Sequence, residues 1–297
     1  MAKKKKNIDT LIEDIYKVFE DQVTLPDDLI KDFGTRVSDL VKNRIEEVRS
    51  GAEGLRLSQI GTPNRKVWYG LQNYDKKPLT GQDRLKFMYG DLVEELLLLL
   101  IKLAGHTITD EQKTVTIEGV VGHQDCRIDN VITDIKSASS FGFRKFKDNS
   151  ITNGNDPFGY IAQLSAYTEG QGEDAGAFLV LNKENADLHL LHIDSMDMIN
   201  ATDRIKELKG LVDAKSPPAR CYSDEPDGVS GNRVLPTSCV WCSYKHTCWS
   251  DSNDGKGLRT FKYSKSSDKT NIHTKAPDYV TYNKNFLNSE KKNDGVS

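Results

Sequence analysis

Apolar positions recur at helical spacing through the first fifty residues. Ile8, Leu11, Ile12, Ile15, Val18 and Phe19 predict a helix over 8–22. Leu29, Ile30, Phe33, Val37, Leu40, Val41, Ile45 and Val48 predict a second over 27–50, which Gly51 and Gly54 end. Residues 55–70 read as a loop leading into a short helix. The strongest helical pattern covers 81–104, with Leu85, Phe87, Met88, Leu92, Val93 and the leucine run 96–100, and Gly105 marks its stop. Glu94 and Glu95 interrupt that apolar surface. The period then changes to two. Lys113 to Val120 alternates as one strand, Asp125–Ile128 continues as a second, Asp129-Asn130 turns, and Val131–Ser137 returns, which predicts a β-meander. Phe158–Gly170 reads as a helix, Ala177–Leu181 and Leu188–Ile193 as strands, and Ser195–Ala214 as an amphipathic helix. From Ser216 the chain turns rich in Pro, Gly, Ser and Cys, and after 255 it is a polar, Lys-rich tail expected to be poorly ordered.

This order predicts an α/β fold divided into a helical N-terminal segment (1–54), a core (55–215), a cysteine-rich segment (216–250) and a tail (251–297). At 297 residues the chain is long enough to bury a sizeable core. Its 41 basic and 44 acidic residues give a net charge of −3, which excludes a wholly electrostatic DNA coat but not a local basic groove. The longest apolar run, Leu96–Ile101, is far too short for a membrane span. The Met-Ala-Lys-Lys-Lys-Lys start has no apolar signal region, so a cytoplasmic location is expected.

Chemistry gathers in the predicted hairpin. Asp125 and Asp134 fall on neighbouring strands, and Asp134 and Lys136, two apart, share a face. Glu94 can add a third carboxylate from its helix. Such a group suits a hard divalent cation, which takes oxygen ligands and offsets charge on a phosphate. Further on, Gln163 and Tyr167 stand four apart, on one helical face.

The ordered set Gly90-Asp-Leu-Val-Glu94, Gly122-His-Gln-Asp125, Asp134-Ile-Lys136 and Gln163-x-x-x-Tyr167 resembles the PD-(D/E)XK nuclease superfamily, in its RecB-like exonuclease branch. The likeness covers roughly 55–250 and is nearest to phage-encoded exonucleases. It implies a restriction-endonuclease-like core, a mixed central sheet flanked by helices. It also implies Mg²⁺ or Mn²⁺ held by Glu94, Asp125, Asp134 and the carbonyl of Ile135, with Lys136 catalytic and Gln163 and Tyr167 orienting the site or touching DNA. Asp134 stands where Glu is commoner in that family. His123 is expected to cap the turn.

Cys239-Val-Trp-Cys242-Ser-Tyr-Lys-His-Thr-Cys248 is C-x2-C-x5-C, with Cys221 eighteen positions before it. Four clustered thiols suit Zn²⁺ or an iron–sulfur cluster. The arrangement resembles the iron–sulfur staple of AddB-type and CRISPR-adaptation nucleases. Those proteins place the fourth cysteine before the core, where this chain has Asn64, so Cys221 is the expected substitute. Cys126, the fifth cysteine, is expected to point into the core.

Arg144, Lys145 and Lys147, interleaved with Phe141, Phe143 and Phe146, are candidates to grip phosphates and stack bases. Arg56, Arg65, Lys66 and the lysine-rich start add further phosphate candidates. The expected function is a metal-dependent DNA exonuclease acting on linear ends with little sequence specificity, in phage DNA degradation, recombination or replication as the resemblance implies. A structure-specific or nicking endonuclease and a non-catalytic DNA-binding module remain the alternatives.

Overall fold

The computed structural model describes residues 6–21, 23–46, 54–74, 79–229, 231–260 and 278–282. In chain order the helices are α1 (Leu11–Glu20), α2 (Asp27–Glu46), α3 (Asn64–Leu71), α4 (Gly81–Leu103), α5 (Ser140–Lys147), α6 (Tyr160–Glu169), α7 (Ala201–Gly210), α8 (Thr237–Val240) and α9 (Lys245–Cys248). The strands are β1 (Ile108–Thr109), β2 (Thr114–Ile117), β3 (Val120–His123), β4 (Cys126–Ile128), β5 (Val131–Ala138), β6 (Gly176–Asn182), β7 (Leu188–Ile193), β8 (Glu225–Pro226), β9 (Arg233–Val234), β10 (Arg259–Thr260) and β11 (Asp278–Thr281). The chain divides into two units, one of 1–62 with 78–214, the other of 63–77 with 215–297.

The first unit is built on a five-stranded mixed sheet in the order β1-β4-β5-β6-β7. Only β5 and β6 run parallel, with Asp134 opposite Phe178 and Ile135 opposite Leu179. Alternation along β5 and β6 sorts their side chains between two faces. Ile135, Ala177 and Leu179 join Cys126 and Ile128 on the face covered by α1 and α4, with Leu11, Ile15, Val93, Leu97 and Ile101. Phe178 points the other way, edge-on to Phe146 of α5 and near Tyr160 of α6. Helices therefore flank the sheet on both faces, as expected for a mixed α/β core.

Helix α4 starts where its caps dictate. Thr80 Oγ1 accepts from the Asp83 amide at 3.1 Å, and Asp83 accepts from the Thr80 amide at 3.0 Å. Helix α2, despite its apolar spacing, buries none of its residues, and Ile45 is exposed. An ion-paired network, Arg36 with Glu95 and Glu111 at 2.6 Å, ties it to neighbouring elements instead.

Three expectations need correction. Lys113–Val120 is not one strand. Glu118 and Gly119 both take positive φ (49° and 73°) and fold the stretch into the separate β2–β3 hairpin. The helix expected over 195–214 begins only at Ala201, because Asn200 Oδ1 accepts from the Asp203 amide at 2.7 Å and caps it there. The tail after 255 is not all irregular, since β10 and β11 complete a four-stranded sheet, β10-β11-β9-β8, in the second unit. The first five lysine-rich residues, 47–53 and the rest of the tail (261–277 and 283–297) lie outside the described residues.

The second unit has a small apolar cluster of Leu235, Trp249 and Val280, packed with Cys239, Val240, Cys248 and Leu258. Tyr69 of α3 stacks on Tyr244, with ring centroids 5.3 Å apart. Among the described residues no helix is long and apolar enough to cross a membrane.

Candidate functional site

The sheet opens a notch beside β5. Strand β4 is three residues long and pairs only with Val131–Thr133, whereas β5 runs on to Ala138. Past Thr133, the β4 side of β5 therefore lacks its strand partner. Asp125 supplies the missing acceptor, its Oδ2 accepting from the Ile135 amide at 2.7 Å. The amide and carbonyl of one strand residue point to the same side, so the Ile135 carbonyl also points into the notch.

Asp134 and Lys136 share the face opposite Ile135, as their spacing predicts, and they form an ion pair. Asp134 is buried, and neither of its oxygens makes a hydrogen bond of ordinary geometry. Burial pushes its carboxyl up, Asp125 adds to the rise, and Lys136 opposes it. Glu94 arrives from α4, where a Cβ on Gly90 would lie 3.8 Å from Ser137 Oγ of β5. Burial also raises the Glu94 carboxyl well above the usual carboxylate range, with Asp125 and Asp134 contributing. One Glu94 oxygen accepts from Gln112 Nε2 at 3.0 Å. Lys136 is held in its charged form: burial disfavours the ammonium, but Asp134 and Asp125 outweigh it.

Helix α6 backs this group. Gln163 Nε2 donates to the Tyr167 hydroxyl at 3.2 Å. Tyr167 is buried, and its phenol is pushed up to about 12, chiefly by burial, with smaller contributions from Asp134 and Asp125. Gly122 is needed where it stands, because a Cβ there would meet Leu57 Cβ at 2.7 Å and the Tyr167 ring at 3.1 Å. Gln171 of the turn after α6 reaches Gln124, which is buried beside Asp125.

Glu94, Asp125, Asp134, Lys136, Gln163 and Tyr167 thus come together from α4, the β3–β4 link, β5 and α6. Sequence reading missed Tyr160, whose ring centroid lies 5.3 Å from Lys136 Nζ. Its one signal is position, a single turn before Gln163 on the same helix. Cys126 is fully buried in the core, and burial raises its thiol. His123 Nδ1 lies 3.3 Å from Thr114 Oγ1, within the β2–β3 hairpin.

Arg144, Lys145 and Lys147 lie in the last turn of α5. Arg65 belongs to the second unit, where its Nη1 donates to the Pro218 carbonyl at 2.6 Å and its guanidinium lies over the Tyr69 ring. In that unit Cys221, Cys242 and Cys248 all stand close enough to Cys239 to raise its thiol, which burial first lifts, to about 11. Trp249 partly offsets the rise. The Arg220 guanidinium sits 4.1 Å from the Trp249 ring centroid and donates to the Cys248 carbonyl at 3.1 and 3.2 Å.

As the side chains stand, no three His, Cys, Asp or Glu among the described residues are gathered to hold a metal ion. The donor chemistry of each cluster still discriminates. Asp134 presents a buried carboxylate whose one partner is Lys136, beside further carboxylates, which fits a hard cation. The thiols offer soft ligands.

No family model matches the chain, and no curated protein matches it. Among solved structures, the crystal structure of SSO0001 is 13% identical over 70% of this chain and 91% of that one, with a TM-score of 0.39. An alkaline exonuclease (LHK-Exo) from Laribacter hongkongensis is 16% identical over 52% of this chain and 86% of its own, with a TM-score of 0.32. The same exonuclease in complex with dAMP gives 15%, 53%, 87% and 0.31. Likeness at this level carries neither fold nor function over to this chain.

Proposed function

We infer that this protein is a metal-dependent DNA nuclease of the exonuclease type. One observation carries the reading: a buried carboxylate, Asp134, paired only with Lys136, lies in the notch where Asp125 caps Ile135, with Glu94 close enough to be raised by both acids. Three mutually repelling carboxylates cost folding free energy unless positive charge joins them. Glu94, Asp125, Asp134 and the Ile135 carbonyl would hold Mg²⁺ or Mn²⁺. A cation there supplies charge that offsets the carboxylates and the negative charge developing on a phosphate.

The chain's own groups divide the remaining work. Lys136, against Asp134, would orient the attacking water or steady phosphate charge. Asp125 anchors the middle of β5 through the Ile135 amide and so sets the position of Asp134. Gln163 and Tyr167 brace the site from α6. The basic turn of α5 offers phosphate contacts without base readout, which suits DNA with little sequence preference. In the second unit, Cys221, Cys239, Cys242 and Cys248 would hold one structural centre, an iron–sulfur cluster or Zn²⁺.

The deciding experiment presents purified protein with end-labelled linear and closed-circular DNA under Mg²⁺, Mn²⁺ or EDTA. Cation-dependent loss of linear DNA with circles spared is expected. Nicking of circles would make the protein an endonuclease, and binding without cleavage in any cation would leave only a DNA-binding module.

A further inference from the structure

The loop between α5 and α6 carries an aromatic side chain that hydrolysis does not require. Phe158 is 68% exposed. Its ring is nevertheless held, stacked on Tyr160 with centroids 5.4 Å and planes 29° apart. Tyr160 stacks in turn on Phe146, at 5.9 Å and 29°, and Phe146 is buried against Phe178. Lys136 Nζ lies against the same Tyr160 ring. A run of rings therefore leads from the sheet, past the lysine of the acidic site, to the surface.

The backbone under Phe158 is fixed as well. Asp156 accepts from the Gly159 and Ile161 amides, each at 2.9 Å. Gly159 takes φ +75° and packs so closely on Gly61 that a Cβ on it would stand 2.4 Å from the Gly61 Cα. Cations border the loop. Lys145 Nζ donates to Asn155 Oδ1 at 2.7 Å, which links α5 to this loop. The same Nζ lies 5.3 Å from the ring centroid of Phe141, itself 66% exposed, with Arg144 at 5.9 Å.

A lone exposed phenylalanine needs no explanation. One that is braced by a stack reaching Lys136, in a loop that Lys145 holds through Asn155, presents a flat apolar face on a segment that also carries cations. That combination matches a nucleotide, an aromatic base on an anionic backbone. We propose that Phe158 stacks on the nucleobase next to the scissile phosphate, while Arg144 and Lys145 meet the flanking backbone. The proposal rests on the nuclease reading and deepens it. Every base has a π-face, so the platform accepts any base and senses only whether one is there.

The test compares wild type, Phe158→Ala, Phe158→Leu and Phe158→Tyr on linear DNA under Mg²⁺. Substrates carry 2-aminopurine or an abasic tetrahydrofuran, scanned through the terminal nucleotides of each strand. Wild type should quench 2-aminopurine at one position before cleavage, and an abasic residue there should raise KM about tenfold. Phe158→Ala and Phe158→Leu should lose the quench and show that same KM with kcat little changed, and the abasic penalty should vanish in both. Phe158→Tyr should restore all three. Wild-type cleavage with a KM in Phe158→Ala within twofold of wild type, or an abasic penalty that survives in it, overturns the stacking proposal alone. Wild-type protein that cleaves no DNA overturns the nuclease reading and the proposal with it.

Discussion

The two units gather their carboxylates and their thiols by opposite means. In the first, Glu94, Asp125 and Asp134 lie up to forty residues apart in sequence and come together beside β5, in a sheet whose core is dense with Leu, Ile and Val. In the second, three of four thiols lie within ten residues, beside a cluster whose buried members are Leu235, Trp249 and Val280. A large core can carry the cost of a strained acidic notch. On the proposed reading, a metal at the thiols of the second unit adds to its folding free energy. A site resting on its fold should lose activity when a ligand is changed, whereas a fold resting on its site should lose stability.

The sharpest break of this comparison comes at Asp134. Asp134→Asn is nearly isosteric and removes the buried charge, so cleavage should fall at least about a hundredfold while circular dichroism and melting show an intact fold. Lys136→Ala should match it in activity. Near wild-type turnover by either variant would remove them from the site. Next in size, Cys239→Ser or Cys242→Ser should lower the melting temperature by about 10 °C or more, with loss of bound zinc or of absorbance near 400 nm. Unchanged melting in a protein that carries neither metal would show that the small core suffices.

A subtler contrast lies in pH. Burial raises the Asp134 and Glu94 carboxyls, so the metal-free folded state holds protons that the unfolded chain has released. The contribution of these two groups to its stability is therefore fully present below the ordinary carboxylate value near 4 and is lost as pH rises toward the raised values. Thermal melts in EDTA from pH 5 to 8 should show this decline, and Asp134→Asn should flatten it. A flat wild-type profile would mean that the notch is not strained. Gly122→Ala should cost about 1–3 kcal/mol in denaturant melts, because Leu57 and Tyr167 leave no room for a methyl group. The smallest effect is expected from Tyr167→Phe, which removes only the hydroxyl that Gln163 meets, so a fewfold loss of kcat/KM should suffice. A loss as deep as that of Asp134→Asn would place Tyr167 among the reacting groups.

Residue order alone determined what local stereochemistry controls. The alternation that puts Asp134 and Lys136 on one face, the four-residue step that joins Gln163 to Tyr167, and the Thr80–Asp83 cap of α4 all follow from repeats of two or 3.6 residues. Cys126 in the core was legible for the same reason, since its neighbour Asp125 faces the site. Tertiary structure decided the rest. How far β4 accompanies β5, and so where the notch opens, depends on strand pairing. That Glu94 meets the two aspartates, that Tyr160 lies against Lys136, and that β11 pairs with β9 across more than forty residues are all contacts between segments with no shared local period. The raised carboxyls belong to this second class. A carboxylate's charge state is set by what surrounds it, and the chain assembles those surroundings only when it folds.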